Sequence, residues 1–284
     1  MTKIFPLIFI VLWSSAFITT KPIVDHSEPF SALAFRFFFV SLGFLIFSIY
    51  KNFSLEVSKS NLIQSLVSGV LFHGIYLGGV FYSVSVGMPT GIAALIVTLQ
   101  PILTNILAGP ILKEHVSYHQ WIGILLGFLG AVLVLGFDIG KNIPFDGVIA
   151  TIISLVSITS ATIWQKKISN NLPIETSNTY QAIGGCLFHI LIIVFVTKFQ
   201  INFSFTFIAA MSHQVLLVSF GAFTILMFLI RENSASKTTS FFFLIPSVSA
   251  LMAWLFLNEK LYFIDIIGFL IASIGVYIAT RPEK

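Results

Sequence analysis

Two residues that titrate or hydrogen-bond stand three apart in an otherwise apolar stretch, His73 and Tyr76, with Gly69 and Gly74 beside them. On a helix that spacing puts both side chains on one face, and the glycines admit a neighbouring helix closely. The pair can hydrogen-bond a solute, His73 can carry a proton near neutral pH, or both can serve helix packing. Arg36 is the one charge well inside an apolar run. It can anchor a carboxylate or phosphate, pair with Asp25 or Glu28 as a gate, or snorkel to the nearer surface. Gln100 precedes Pro101, whose missing N–H frees a backbone carbonyl close by. Together they can make a small polar site, while Asn105, a turn on, suits packing. Trp13 and Trp164 offer ring faces to an organic cation or planar ring. Trp164 precedes Gln165, Lys166 and Lys167, so it can equally be an interface anchor. Gln181 and His189 are further polar candidates in one apolar stretch.

What is missing bounds the chemistry. All eleven acids fall in expected loops, tails or within about a turn of an expected helix end. Moving a proton or cation through apolar surroundings usually takes an acid deep in an apolar run, so such coupling is not indicated, unless His73 carries the proton. A single cysteine, Cys186, removes disulfides and cysteine-based zinc sites. No GxxxxGK[ST] loop, HExxH or GxSxG elbow is present. Neither ATP hydrolysis nor an intramembrane enzyme is indicated, and no metal or cofactor is implied. A ring of charge or a carbonyl filter, as channels use, is not visible either.

The elements that must position these residues follow from composition. Hydrophobic residues make up 57% of the 284 and charged residues 9%, against about 25% charged in soluble domains. So little charge cannot coat a soluble body, and the solvent is lipid. A net charge of +4 then reads as cationic loops holding an orientation and not as a nucleic-acid surface. Crossing the hydrocarbon takes about 20 apolar residues. Such runs fall at 4–20, 30–50, 62–84, 90–112, 119–137, 145–165, 176–197, 207–231, 235–257 and 262–280. Their continuity argues against a β-barrel. The expectation is an all-α polytopic membrane protein with ten transmembrane helices and short loops. Residues 4–20 offer no convincing cleavage site and read as a retained first helix. With the N-terminus in the cytoplasm, ten Lys/Arg fall inside and four outside, so both termini are expected to be cytoplasmic.

Shifted by 145 residues, the chain matches itself. Leu99, Pro101, Leu112, Glu114, Gly123 and Gly130 fall on Leu244, Pro246, Leu257, Glu259, Gly268 and Gly275. Two repeats of five helices follow, 4–137 and 145–280. Five is odd, so the second half enters the membrane inverted, the arrangement that suits alternating access. Pro101 and Pro246 are expected to kink their helices, as hinges or as packing kinks. Glu114 and Glu259, at helix ends, are expected to maintain the fold by capping or bridging.

The stretch Gly91-Ile-Ala-Ala-Leu-Ile-Val-Thr-Leu-Gln-Pro101, then Leu112-Lys-Glu114, Gln120-Trp-Ile-Gly123 and Gly130, resembles the EamA family of the drug/metabolite transporter superfamily. A second copy reads Ser240-Phe-Phe-Phe-Leu-Ile-Pro246, Ala253-Trp254, Leu257-Asn-Glu259, Gly268 and Gly275. Pro29 to Arg36-Phe37 is similar to the family's second-helix pattern, and Trp13 sits where its first helix often has tryptophan. The halves differ chemically: Gln181 stands opposite Arg36, and Lys260 opposite His115. The resemblance implies a ten-helix secondary transporter of small organic metabolites. Amino acids or related zwitterions are the favoured substrate class, on family analogy. The alternative is an exchanger or uptake carrier for nucleoside-like or methylated metabolites. The partners are a small molecule and the lipid bilayer, and the protein is a monomer or homodimer. Its Phe-, Ile-, Lys- and Asn-rich spelling suggests an AT-rich bacterial genome, hence the bacterial inner membrane.

Overall fold

The structure, a computed structural model, describes residues 4–136, 143–257 and 261–281. Among these, nine helices are long and apolar enough to cross a membrane. They are α1 Phe5–Val24, α2 Pro29–Tyr50, α3 Lys59–Ser85, α4 Gly91–Leu112, α5 Tyr118–Leu135, α6 Phe145–Ile168, α7 Ile174–Phe195, α8 Phe205–Glu232 and α10 Phe263–Thr280. Between α8 and α10 the chain is helical in three pieces, together α9: Ala235–Ser240, a 3₁₀ turn Phe241–Leu244, and Ile245–Leu257.

Local chemistry starts these helices where lipid gives way to loop. Glu28 accepts from the backbone N–H groups of Phe30 and Ser31 (3.1 and 2.7 Å) ahead of Pro29, and so caps α2. Ser117 and Gln120 form a capping box on α5, and Ser58, Ser204 and Ser234 cap α3, α8 and α9. Each cap satisfies donors that would otherwise be stranded near hydrocarbon.

Four helices are irregular, and the irregularities correspond. The 235–257 run, expected as one helix kinked at Pro246, is broken into separate pieces ahead of that proline. Helix α4 is interrupted at Thr98 and Leu99, ahead of Pro101. The cause is the same: proline has no N–H for the carbonyl four residues back and crowds it. Helices α3 and α8 each contain a π segment, Val70–Tyr76 and Gln214–Ala222. Shifting Val70–Tyr76 by 145 residues gives 215–221, inside the second segment. The break at Thr98 and Leu99 shifts likewise into the turn Phe241–Leu244.

Packing uses small residues where backbones meet. A Cβ on Gly123 would lie 2.4 Å from the Ala279 nitrogen and 2.6 Å from the Gly275 oxygen. One on Gly130 would lie 2.4 Å from the Ala272 nitrogen and 2.5 Å from the Gly268 oxygen. Helices α5 and α10 thus touch backbone to backbone, with dispersion in place of the hydrophobic effect. Elsewhere helix faces stay apolar and uncovered: Phe38, Phe39, Leu42 and Ile46 of α2 are exposed, as a lipid-facing side requires. The polar side chains point the other way, and Arg36 is 3% exposed.

Candidate functional site

Arg36 sits on the inward face of α2 and reaches α8. Its Nε donates to Ser219 Oγ at 2.9 Å, and Nη1 donates to Gln214 Oε1. These partners are five apart, which on an α-helix separates them widely. The π segment closes its hydrogen bonds one residue later and turns both toward the guanidinium. Gln214 is itself held: its Nε2 donates to the Ala16 carbonyl (3.0 Å) and to Thr19 Oγ1 (2.9 Å), both on α1. The chain of bonds therefore ties α1 through α8 to α2. Arg36 also lies over the Phe37 ring, 5.3 Å from its centroid. Among the described residues it has no carboxylate partner; their one ion pair is Lys21–Asp25, at the surface. Its second terminal nitrogen has no protein acceptor there either.

Beside Arg36 is a cavity with about 550 Å³ of empty space, including its open mouth. Trp13, Thr20, Arg36, His73, Tyr76, Gln214 and Ser219 line it, with Phe17, Phe72, Phe81 and Phe223 among its apolar walls. No acid is in the lining among the described residues. A second, wider space of about 1080 Å³ shares the wall of Trp13, Phe17 and Tyr76. It extends along α4, α5 and α9 past Thr98, Pro246 and Ser249 to Gly91 and Leu135.

Four of the residues singled out from sequence thus meet at one place: Trp13, Arg36, His73 and Tyr76. The His73 ring is packed between Phe37 and Phe223, at centroid distances of 4.4 and 4.3 Å. His189 points at the same stretch, its Nε2 lying 2.9 Å from the His73 carbonyl. The other three lie elsewhere. Gln100 is buried and donates to Thr162 Oγ1 on α6 at 3.0 Å, so it joins two helices and lines neither cavity. Gln181, also buried, contacts Ser177 and Ser68 (2.9 and 3.1 Å), and Ser68 reaches Gln165 in turn. Trp164 donates its indole N–H to the Gln64 carbonyl at 3.1 Å, near the Lys166 end of α6. Pro246 lines the wider space; Pro101 is buried in the first turn of the second piece of α4.

Gln214, Ser219 and Thr20 also line this cavity and were not legible as candidates, because the runs 4–20 and 207–231 read as lipid-soluble. A five-residue spacing of Gln214 and Ser219 next to Gly221 is the one signal, and it is visible only to a reader who allows a π turn.

The far end of the bundle is closed by polar contacts. Glu114, just beyond α4, accepts from the Ala235 and Ser236 N–H groups at 2.9 and 3.3 Å and so caps α9. Ser236 Oγ bonds Asn105 Oδ1, and the Asn105 amide donates to the Pro101 carbonyl at 2.7 Å. Lys166 donates to the carbonyls of Ile230, Arg231 and Asn233 at the end of α8, where the helix dipole favours a cation. Glu259, which a shift of 145 residues sets opposite Glu114, lies outside the described residues.

Comparison with known proteins places this architecture. The model of the EamA-like transporter family matches twice, over residues 2–136 and 146–281. "Uncharacterized transporter YvbV" of Bacillus subtilis is 23% identical, covering 97% of this chain and 90% of that protein. A "Probable amino-acid metabolite efflux pump" of Salmonella typhimurium is 22% identical, over 96% of this chain and 92% of the pump. A solved crystal structure overlays with a TM-score of 0.83 at 16% identity, covering 98% of this chain and 96% of that one; at that identity it speaks for the fold alone.

Proposed function

The chain belongs to the EamA-like transporter family, and from that premise we propose that it is a secondary transporter of small organic metabolites bearing a carboxylate. Amino acids and related molecules of that size form the class. It moves them by alternating access, without ATP and without covalent chemistry. The observation that carries the substrate class is Arg36, a buried guanidinium facing a cavity with no acid in its lining among the described residues. Burying a charge without a partner is costly. A substrate carboxylate supplies the partner, by charge-assisted bonds to the free terminal nitrogen.

Ten spans arranged as two inverted repeats, 4–137 and 145–280, complete the reading. Supporting it are the two family-model matches, the π segments 145 residues apart and the paired helix breaks ahead of Pro101 and Pro246. The breaks are the hinges. Lys113, Lys166, Lys167, Arg231 and Lys237 cluster at the end closed by Glu114, which the positive-inside rule makes cytoplasmic. The cavities then open outward, in a bacterial inner membrane with both termini inside. Relatives named as a transporter and an efflux pump in two bacteria support a bacterial membrane.

The purified protein in proteoliposomes, without nucleotide, should take up radiolabelled carboxylates with saturation. Uptake should accelerate when the same solute is loaded on the far side. Flux linear in concentration up to solubility, with no such acceleration, would contradict a carrier and favour a channel.

A further inference from the structure

We propose that Gln214 sets the charge preference of the Arg36 site. It makes the site take a monocarboxylate with an apolar body in preference to the zwitterionic amino acid of the same skeleton. This rests on the reading of Arg36 as the carboxylate anchor and narrows it.

Among the described residues, every protein partner of the guanidinium is neutral: the Gln214 amide oxygen, the Ser219 hydroxyl and the Phe37 ring face. Glutamine is the informative one. Its two ends are committed, the nitrogen to the Ala16 carbonyl and Thr19 and the oxygen to Arg36, so the network fixes which way the amide faces. A glutamate of the same shape would reach the same place and cancel the charge of Arg36. Glutamine holds the fork in position and leaves the charge standing. The substrate's own charge then cancels it.

One negative charge is enough. The cavity offers a single cation among the described residues, and its remaining walls include Phe17, Phe72, Val80, Phe81 and Phe223. A zwitterion brings an ammonium group as well. With no acid in the lining among the described residues, that ammonium meets the hydroxyls of Thr20 and Tyr76 and the ring faces. Attraction to a ring face is small beside the cost of stripping water from an ammonium. The monoanion avoids that cost and loses nothing at Arg36.

Leucine and 4-methyl-2-oxopentanoate share a carbon skeleton and differ in ammonium against keto oxygen. Titration of each into the purified full chain should give a Kd about tenfold lower for the oxo acid, about 1.4 kcal/mol. Gln214→Glu should weaken oxo-acid binding by about tenfold or more and leucine binding by less, because the new carboxylate offsets Arg36 but welcomes an ammonium. A merely structural role for Gln214 would instead weaken both by one factor. If Gln214→Glu does not fold, as judged by its thermal midpoint, Ser219→Asp tests the same sign from the Nε side. Leucine binding as tightly as the oxo acid, with both lost in Arg36→Gln, overturns the charge preference and leaves the anchor reading intact. Binding of both probes unchanged by Arg36→Gln overturns the anchor reading itself, and so does the absence of binding by either.

Discussion

Replacing Arg36 by glutamine should abolish carboxylate transport and raise, not lower, the stability of the folded protein. The two halves have one cause. Arg36 is nearly fully buried, and its protein partners are an amide and a hydroxyl. An arginine kept for architecture normally finds a carboxylate, and removing one partner of such a pair costs about 3–5 kcal/mol. Among the described residues there is no pair here to break. Glutamine removes an uncompensated buried charge and keeps a group that can still donate toward Gln214. For the substrate the balance reverses. Truncating one side of a buried charged hydrogen bond costs about 2–5 kcal/mol, or roughly 30-fold to several thousandfold in affinity. Arg36→Lys should fall between, since it keeps the charge and loses the planar fork. Flux in proteoliposomes and a melting curve in detergent check both signs. Unchanged flux, or a lowered melting midpoint with flux retained, would make Arg36 structural.

The second large effect concerns the closed end. A short bifunctional thiol reagent joining Asn105→Cys to Ser236→Cys, with Cys186→Ser as background, should reduce transport to the protein-free level. The wild-type side chains are hydrogen-bonded to each other, and beside them Glu114 holds the first turn of α9. Alternating access requires this end to part, because the lining of the wider cavity runs to Gly91 and Leu135, away from Glu114, and release on the other side needs a path between α4 and α9. Each charge-assisted bond from Glu114 contributes about 1.5–3 kcal/mol, the size of bias that substrate binding can overcome. Either single-cysteine variant treated with the same reagent should keep its flux. Full activity in the cross-linked protein would mean that α4 and α9 do not separate during transport.

Much of the fold was legible because lipid imposes simple rules. Apolar runs of spanning length located the nine long helices to within a few residues, since every backbone group in hydrocarbon must pair within its own helix. The breaks in α4 and α9 were legible as prolines but not as interruptions. How far a proline unravels a helix depends on whether neighbours satisfy the freed carbonyl, and sequence does not name the neighbours. The site shows the same divide. Trp13, Arg36, His73 and Tyr76 were legible because polar or amphipathic groups in an apolar run must face something other than lipid. That rule cannot say what they face. Gln100 and Gln181 obey it equally well by bonding Thr162 and Ser177 across or along helices. Gln214 and Ser219 were hidden by the assumption of 3.6 residues per turn, which points them apart, whereas the π segment brings them together on Arg36.

Thr98 is buried at the break in α4 and lines the wider cavity, with its hydroxyl bonded to the Ala94 carbonyl. A cysteine there, as Thr98→Cys in the Cys186→Ser background, reports directly on which side the cavity opens. A membrane-impermeant thiol reagent should label it from outside in the resting protein. During transport of a bound carboxylate it should become reachable from inside, with outside labelling falling in step. Labelling from one side alone, unchanged by substrate under conditions of active flux, would contradict alternating access through this cavity.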